Sequence, residues 1–361
     1  MKGYTNQKTI TMSHLLTGLI DCEAMQSELT DHFVACDPTK TNELTPLVQF
    51  LNSSVNTNNI LRKEVAPGRT KIRTVNLTYT PRVRENEVSN STAIKCVSTN
   101  KAGMLQESYE IDTTAGVSWD EAFNLADMAR MCKDNSLWFA SRIQDGMNGM
   151  IRHMETNLVS DLQALIGKFA DDETNVVADV KTVTTKFSDG KPDTNMLEEV
   201  TFAAANAGYC TAPYVFGWGE AAKYMKRLQA GCCADSGLDL FEMLQMNGMI
   251  FMPSYRIEKK FATNHFITMA AGALQLLTYN EFEEDGLFNN PNYQTSHKRM
   301  IVTDPLTRLP FDMLINFPCA GDMTVQMKLA YKLVGMPDDL FSTGDRLRGV
   351  TQVNHFKIVN P

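Results

Sequence analysis

The sequence predicts a mixed α+β fold organised around one unusually long helix, and three periodicities carry that prediction. Between Leu137 and Leu165, apolar residues recur mostly at three- and four-residue steps, through Ala140, Ile143, Met147, Met150, Ile151, Met154, Leu158 and Leu162. That is the stripe of one buried helix face. Between Thr324 and Leu333, Val325, Met327, Leu329, Tyr331 and Leu333 alternate with Thr324, Gln326, Lys328, Ala330 and Lys332, the period of a strand. Arg69–Thr80 and Met104–Asp112 read as two further strands, and the polar text Glu85–Gly103 between them reads as the tip of a long hairpin.

The remaining elements follow in chain order. Residues 1–62 are rich in Thr and Asn, with one short amphipathic stretch around Ser13–Leu29. They carry few apolar residues to bury and read as an arm that needs a partner surface. On the strand from Arg69, one face holds Arg69, Lys71 and Arg73 and then Val75, Leu77 and Tyr79, basic at one end and apolar at the other. Ser118-Trp119-Asp120-Glu121 has the form of a capping box, which predicts a helix to about Cys132. The long helix comes next, with Gly167 as its stop. Thirty residues of helix span about 45 Å, against an average of about 11–12 residues. Gly146 and Gly149 inside it cost about 1 kcal/mol each relative to Ala, which predicts close approach of another backbone. Ala170–Asp193 reads as a hairpin with Asp189-Gly190 as its turn. Residues 195–300 alternate helices (Asn195–Ala207, Glu220–Leu228, Leu238–Met246) with strands (Ala212–Phe216, Met249–Met252, His265–Met269) and read as an α/β lobe. Gln352–Val359 is a weaker last strand.

Composition sets outer limits. The chain has 361 residues, of which 43% are hydrophobic and 21% charged, ordinary globular usage. A net charge of −8 gives no global attraction to nucleic acid or anionic membrane. No apolar run is long enough to span a bilayer, and no secretory signal opens the sequence. The eight cysteines (Cys22, Cys36, Cys96, Cys132, Cys210, Cys232, Cys233 and Cys319) are scattered, and they read as reduced, buried thiols rather than a disulfide scaffold.

The search for chemistry yields one motif and two charged patches. Gly217-Trp218-Gly219-Glu220-Ala221-Ala222 fits G-x-G-x-x-A between a predicted strand and a predicted helix, the setting of a dinucleotide turn. Against it, Trp218 stands where a pyrophosphate needs room, and Leu228–Gly237 is no apolar strand. An ordinary strand-to-helix turn is the plainer reading. Nucleophile elbows, Walker A loops and H-E-x-x-H helices are absent, and the six histidines never pair at helical spacing. The adjacent Cys232 and Cys233 make no zinc knuckle. The catalytic, cofactor and metal sets are therefore empty. The acidic run Glu281, Glu283, Glu284 and Asp285 reads first as a solvated loop. General acid and base work would need burial to split the pKa values. A third reading pairs the run with Arg69, Lys71 and Arg73 of a neighbouring copy, head to tail. The basic strand also suits phosphate contact, yet it lacks stacking aromatics before Tyr79. The Met147, Met150 and Met154 stripe reads as adaptable core rather than a ligand groove.

Arm, long hairpin, helix, very long helix, hairpin, α/β lobe and returning strands form an order that resembles the tailed-bacteriophage major capsid protein, the Hong Kong 97-type fold. Local phrases are also similar to phage capsid sequences: Val117–Cys132 leading into Ser136–Gly167, Asn264–Leu277, and Asp304-Pro305-Leu306-Thr307. The resemblance implies an N-terminal arm at 1–62, an extended β-hairpin loop at 63–117 and a peripheral domain at 118–194 with a spine helix at 136–166. It further implies an axial domain at 195–300, and strands at 301–361 returning to the peripheral domain. By the same resemblance the chain is a structural protein of the virion and not an enzyme. Pentamers and hexamers of it tile an icosahedral shell, made in the bacterial host cytoplasm, around double-stranded DNA that it does not read. Portal protein, and scaffolding or decoration proteins, are the implied partners. An acidic wall suits that container, because confinement holds the DNA. A nanocompartment shell of the same fold, or a nucleotide-binding enzyme using Gly217–Ala222, are the alternatives.

Overall fold

The computed structural model describes residues 45–53, 60–65, 71–79, 104–124, 135–166, 169–170, 176–178, 181–184, 187–188, 191–192, 200–201, 212–219, 223, 249–281, 297–316, 322–335 and 353–359. The stretch at Ser13–Leu29, the hairpin tip at Glu85–Gly103, the helix at Leu238–Met246 and all eight cysteines lie outside these residues, as do most of the helices expected at Asn195–Ala207 and Glu220–Leu228.

In chain order the elements are helix α1 (Pro46–Leu51), strands β1 (Ile60–Val65), β2 (Ile72–Tyr79), β3 (Leu105–Asp112) and β4 (Gly116–Asn124), and the long helix α2 (Asn135–Leu165). Five short strands follow: β5 (Phe169–Ala170), β6 (Val176–Ala178), β7 (Lys181–Thr184), β8 (Phe187–Ser188) and β9 (Lys191–Pro192). Then come β10 (Tyr214–Gly217), β11 (Ile250–Pro253), helix α3 (Tyr255–Phe261), β12 (His265–Met269) and β13 (Leu274–Tyr279). The chain closes with β14 (His297–Thr303), β15 (Pro310–Asn316), β16 (Asp322–Gly335) and β17 (Val353–Val359). The fold is thus a mixture of helix and sheet, and it divides into two compact units.

The first unit takes Thr113–His153 and Thr278–Ala330. Its sheet has the order β16-β15-β14, with β4 on β16, and these pairings are antiparallel. Strand periodicity sorts the two faces. Met313, Ile315, Met323, Val325, Met327 and Leu329 are buried and meet the first half of α2, where Phe139, Ala140, Ile143, Met147 and Met150 are buried too. Phe123 packs edge-on against Trp138 and Phe139, with ring centroids 5.5 and 5.2 Å apart. The opposite face carries Arg299, Asp312, Gln326, Lys328, Ser118 and Asp120.

The capping box at Ser118–Glu121 is a misreading, because those residues lie in the middle of β4. Val117, Trp119, Glu121 and Phe123 form the row turned toward α2. Nine consecutive residues of β4 pair with β16, and that ladder outweighs a two-residue local signature. Glu121 caps nothing. It receives Arg142 of α2 through both carboxylate oxygens, at 2.8 and 2.9 Å.

The second unit takes Leu44–Asp112, Met154–Leu277 and Tyr331–Pro361. One sheet has the order β1-β2-β3 and another β11-β10-β12-β17-β7. Val75, Leu77 and Tyr79 on β2 and Ile111 on β3 are wholly buried, as the alternation predicts. A third strand, β1, joins them antiparallel to β2. The expected hairpin at Ala170–Asp193 divides. β8 and β9 flank residues 189–190 as a tight pair, β5 pairs with β6, and β7 leaves to lie parallel to β17.

One sequence reading needs correction here. The text of 1–62 does contain apolar matter to bury at Pro46–Leu51, where Leu47, Val48, Phe50 and Leu51 are buried in the chain's own second unit. The Phe50 ring packs at a tilt against Tyr214, with centroids 4.3 Å apart, and edge-on against Phe216 at 5.5 Å. The last strand, β17, inserts between β12 and β7, because its buried Val353, Phe356 and Ile358 complete a sheet whose other strands come from three distant segments.

Candidate functional site

The basic strand keeps its order but loses its uniform exposure. Lys71 is exposed and Arg73 half-buried, opposite Ile111 in the β2–β3 ladder. Arg69 lies outside the described residues. The apolar end of that face is closed by the chain itself. Tyr109 donates its hydroxyl to the Gly335 carbonyl at 3.4 Å, and Lys332 donates to the Glu110 carbonyl at 2.9 Å. Burial, then Tyr109 and Glu107, raise the Tyr79 phenol far above its usual range, so it stays neutral. The other face of the sheet is polar: Ser108 bonds Asn76 at 2.7 Å, and Thr74 lies across from Glu110.

Of the acidic run only Glu281 is described, and it is committed within its own unit. Its carboxylate takes the Lys328 ammonium in an ion pair. Its backbone N–H donates to Asp312 at 2.7 Å. Asn280 donates to the other Asp312 oxygen at 3.3 Å and to the Pro310 carbonyl at 3.0 Å. Asp312 faces Lys328 directly in the β15–β16 ladder. Glu281, Asp312 and Lys328 line a cleft of about 480 Å³ on the polar face of the first unit's sheet, together with Ser118, Asp120, Arg299 and Gln326. Both signs of charge are present and largely self-paired, which suits a hydrated contact surface better than acid–base work. Lys71 and Arg73 belong to the second unit and Glu281 to the first. Glu283, Glu284 and Asp285 lie outside the described residues.

The glycine motif does sit on a strand-to-helix turn. β10 ends at Gly217, Gly219 has φ +53°, and the Lys223 N–H donates to the Gly219 carbonyl at 3.0 Å. The space beside Gly219 is already occupied. A Cβ there would lie 2.9 Å from both Glu258 Oε2 and the Thr263 carbonyl. A carboxylate in that position repels a phosphate, so the turn needs glycine for its own closure.

The two helix glycines differ. Gly146 faces the Trp119 indole, which a Cβ would meet at 2.7 to 2.9 Å. The close approach is by a side chain, not by another backbone. Gly149 meets nothing within 4 Å. It borders a groove of about 370 Å³ with Arg142, Asp145, Arg152 and His153. Met147, Met150 and Met154 are buried core.

Two sites escaped the sequence because their partners are remote in the chain. Glu155 on α2 is fully buried and accepts the N–H groups of Leu47 at 3.1 Å and Val48 at 2.8 Å. It caps α1, whose own Thr45 makes no side-chain cap. Burial pushes its carboxyl up to about 7, against the two N–H donors and Arg256. His265 and His355 meet across β12 and β17, with Nδ1 and Nε2 2.8 Å apart. Their separation is 90 residues, beyond any local spacing rule. Among the described residues no cluster of three His, Cys, Asp or Glu is able to hold a metal, and no helix is long and apolar enough to cross a membrane.

No protein-family model matches the chain, and no curated protein matches it. Among solved structures, the chain is similar to the capsid asymmetric unit of cyanophage A-1(L), at 9% identity and a TM-score of 0.47, covering 87% of this chain and 92% of that one. It is also similar to the capsid structure of cyanophage P-SCSP1u, at 9% identity and 0.37, covering 92% and 94%. A third is the asymmetric unit of the bacteriophage PhiM1 mature capsid, at 8% identity and 0.39, covering 80% and 82%. All three TM-scores lie below 0.5, and no assignment rests on them.

Proposed function

We propose that this chain is a shell-forming subunit, the major capsid protein of a tailed bacteriophage, assembling as pentamers and hexamers into an icosahedral container for double-stranded DNA. The observation that carries the reading is the succession of this chain's own elements. A three-stranded β1-β2-β3 sheet with a 25-residue insertion between β2 and β3, residues 80 to 104, is followed by a strand, a 31-residue helix and a five-stranded lobe sheet that takes in the last strand. The 31-residue α2 is the expected spine. The mixed-charge cleft around Glu281 and Lys328 is a surface for subunit contact. Lys71 and Arg73 of a neighbouring copy are complementary to its acids, and Arg69, Glu283, Glu284 and Asp285 extend both patches in the sequence. Self-association is the partner class this favours, with portal, scaffolding or decoration proteins as further partners and the virion as location.

Electron microscopy of the purified full chain tests the reading, with closed shells of uniform size as the expected result. A monodisperse small oligomer that never closes overturns it. Shell diameter and contents separate a capsid from a nanocompartment of the same fold. Saturable dinucleotide binding would restore the enzyme alternative, which the Glu258 carboxylate beside Gly219 argues against. Removal of residues 1–44, which spares buried α1, is predicted to leave a folded chain that assembles poorly.

A further inference from the structure

We propose that the contact between His265 and His355 makes the β12–β17 seam an acid-sensitive latch, which releases the C-terminal strand from its sheet when both rings take up protons. This inference does not rest on the capsid reading. A 2.8 Å contact between Nδ1 of His265 and Nε2 of His355 needs one nitrogen to donate and the other to accept. A single added proton is still shared across it. Two imidazolium rings present two donors and two positive charges, and the contact turns repulsive.

The surroundings offer no relief. The rings lie 4.8 Å apart between centroids, and the Phe261 ring of α3 covers His355 edge-on at 4.9 Å. His355 is 6% exposed, so water has little access to solvate a charge there. On β17, Lys357 is the direct cross-strand partner of His265. On β7, the ladder partner of Phe356 is Lys181, and Phe356 belongs to the face opposite His355. On α3 the charged residues are Arg256, Glu258, Lys259 and Lys260. The Arg256 guanidinium is directed to Thr156 and lies over the Tyr255 ring. The Glu258 carboxylate lies at the Gly219 turn, and the two lysines are exposed. Among the described residues, the charged group set directly against the pair is a cation, Lys357. In accord with this geometry, burial and then His265 hold His355 down to about 4, while burial and then Lys357 lower His265.

The position of the latch gives it leverage. β17 is an interior strand, and its pairing to β12 is what connects β7 to β10 and β11. The opposite face of the seam is held by Phe266 stacked on Phe356 at 5.0 Å. Its end is held by Asn264, which donates to the Ile358 carbonyl at 2.9 Å and accepts the Ile358 N–H through its backbone at 2.8 Å. Acid therefore opens the histidine side first.

Hydrogen–deuterium exchange on the full-length protein at pH 7, 6 and 5, corrected for intrinsic exchange, tests the latch. Protection of residues 265–269 and 353–359 should fall on the order of 20-fold between pH 7 and pH 5, while residues 310–316 hold theirs. His355→Gln should flatten that fall. His265→Gln, at a less buried ring, should do the same and serves if His355→Gln fails to fold. Unchanged protection in the natural protein overturns the proposal. So does a loss spread equally over all three segments, or one that persists undiminished in His265→Gln.

Discussion

The two large sheets follow different rules. In the first unit, β14, β15 and β16 are neighbours in both chain and space, and their residues alternate between a buried apolar face and an open polar one. In the second, β11, β10, β12, β17 and β7 come from scattered segments and mix parallel with antiparallel pairing. In β12 and β10 burial is nearly continuous, with four of five and three of four residues buried. A sheet covered on both faces must place its polar groups under cover. The buried Glu155, His355, Thr268 and Asn354 all lie in that unit. The alternating sheet advertises itself in sequence, although it too buries a carboxylate, Asp312. The doubly covered sheet hides its order, and its buried polar groups include a histidine in contact with another.

Breaking the first unit's core should have the largest effect. Phe123→Ala removes a buried ring from between Trp138 and Phe139 and is predicted to cost about 3–5 kcal/mol in urea unfolding. Glu155→Ala strands two buried N–H groups of α1, which should cost roughly 2–4 kcal/mol and raise proteolysis near residues 45–53. The glycines sharpen the contrast between a filled and an open position. Gly146→Ala drives a methyl into the Trp119 indole and should destabilise by about 1–2 kcal/mol, even after the helix-propensity gain. Gly149→Ala should stabilise by up to about 1 kcal/mol. If both glycines respond alike, the assigned packing of Trp119 is wrong. Smallest of all, Arg142→Met should change stability by no more than about 1 kcal/mol, since its pair with Glu121 is partly exposed.

Proton linkage separates the two buried sites of the second unit. The Glu155 carboxyl is raised above its unfolded value, so the folded chain holds that proton more tightly. Its contribution is fully present below about pH 4.5 and is lost as pH rises through about 7. The depressed histidines act in the opposite sense, and their contribution is lost as pH falls below about 6.5 toward 4. Unfolding curves at pH 5 and pH 8 should therefore shift in opposite directions for Glu155→Gln and His355→Gln. Parallel shifts would mean that one carboxyl or ring is not in the environment described.

The contested segment Gly116–Asn124 shows how far local reading reaches. Its alternation of Val117, Trp119, Glu121 and Phe123 was as visible as the Ser118–Glu121 signature. The two patterns conflict, and only the presence of β16 beside it decides between them. The contact candidates fared similarly. The alternation on β2 placed Val75, Leu77 and Tyr79 correctly on one buried face. Nothing local to Glu281 indicated that Lys328 and Asp312, arriving from two other strands, would engage it.

The order of residues by itself determined the periodic elements: the α2 stripe, the alternation of β16 and β2, and the strand at His265–Met269. Each rests on contacts or rotations within a few residues, so its signal is local. Tertiary structure alone decided that β17 enters between β12 and β7, that Glu155 caps a helix over a hundred positions away, and that two histidines touch. Those outcomes depend on which distant surface a strand or carboxylate meets, and no short window of sequence contains both partners.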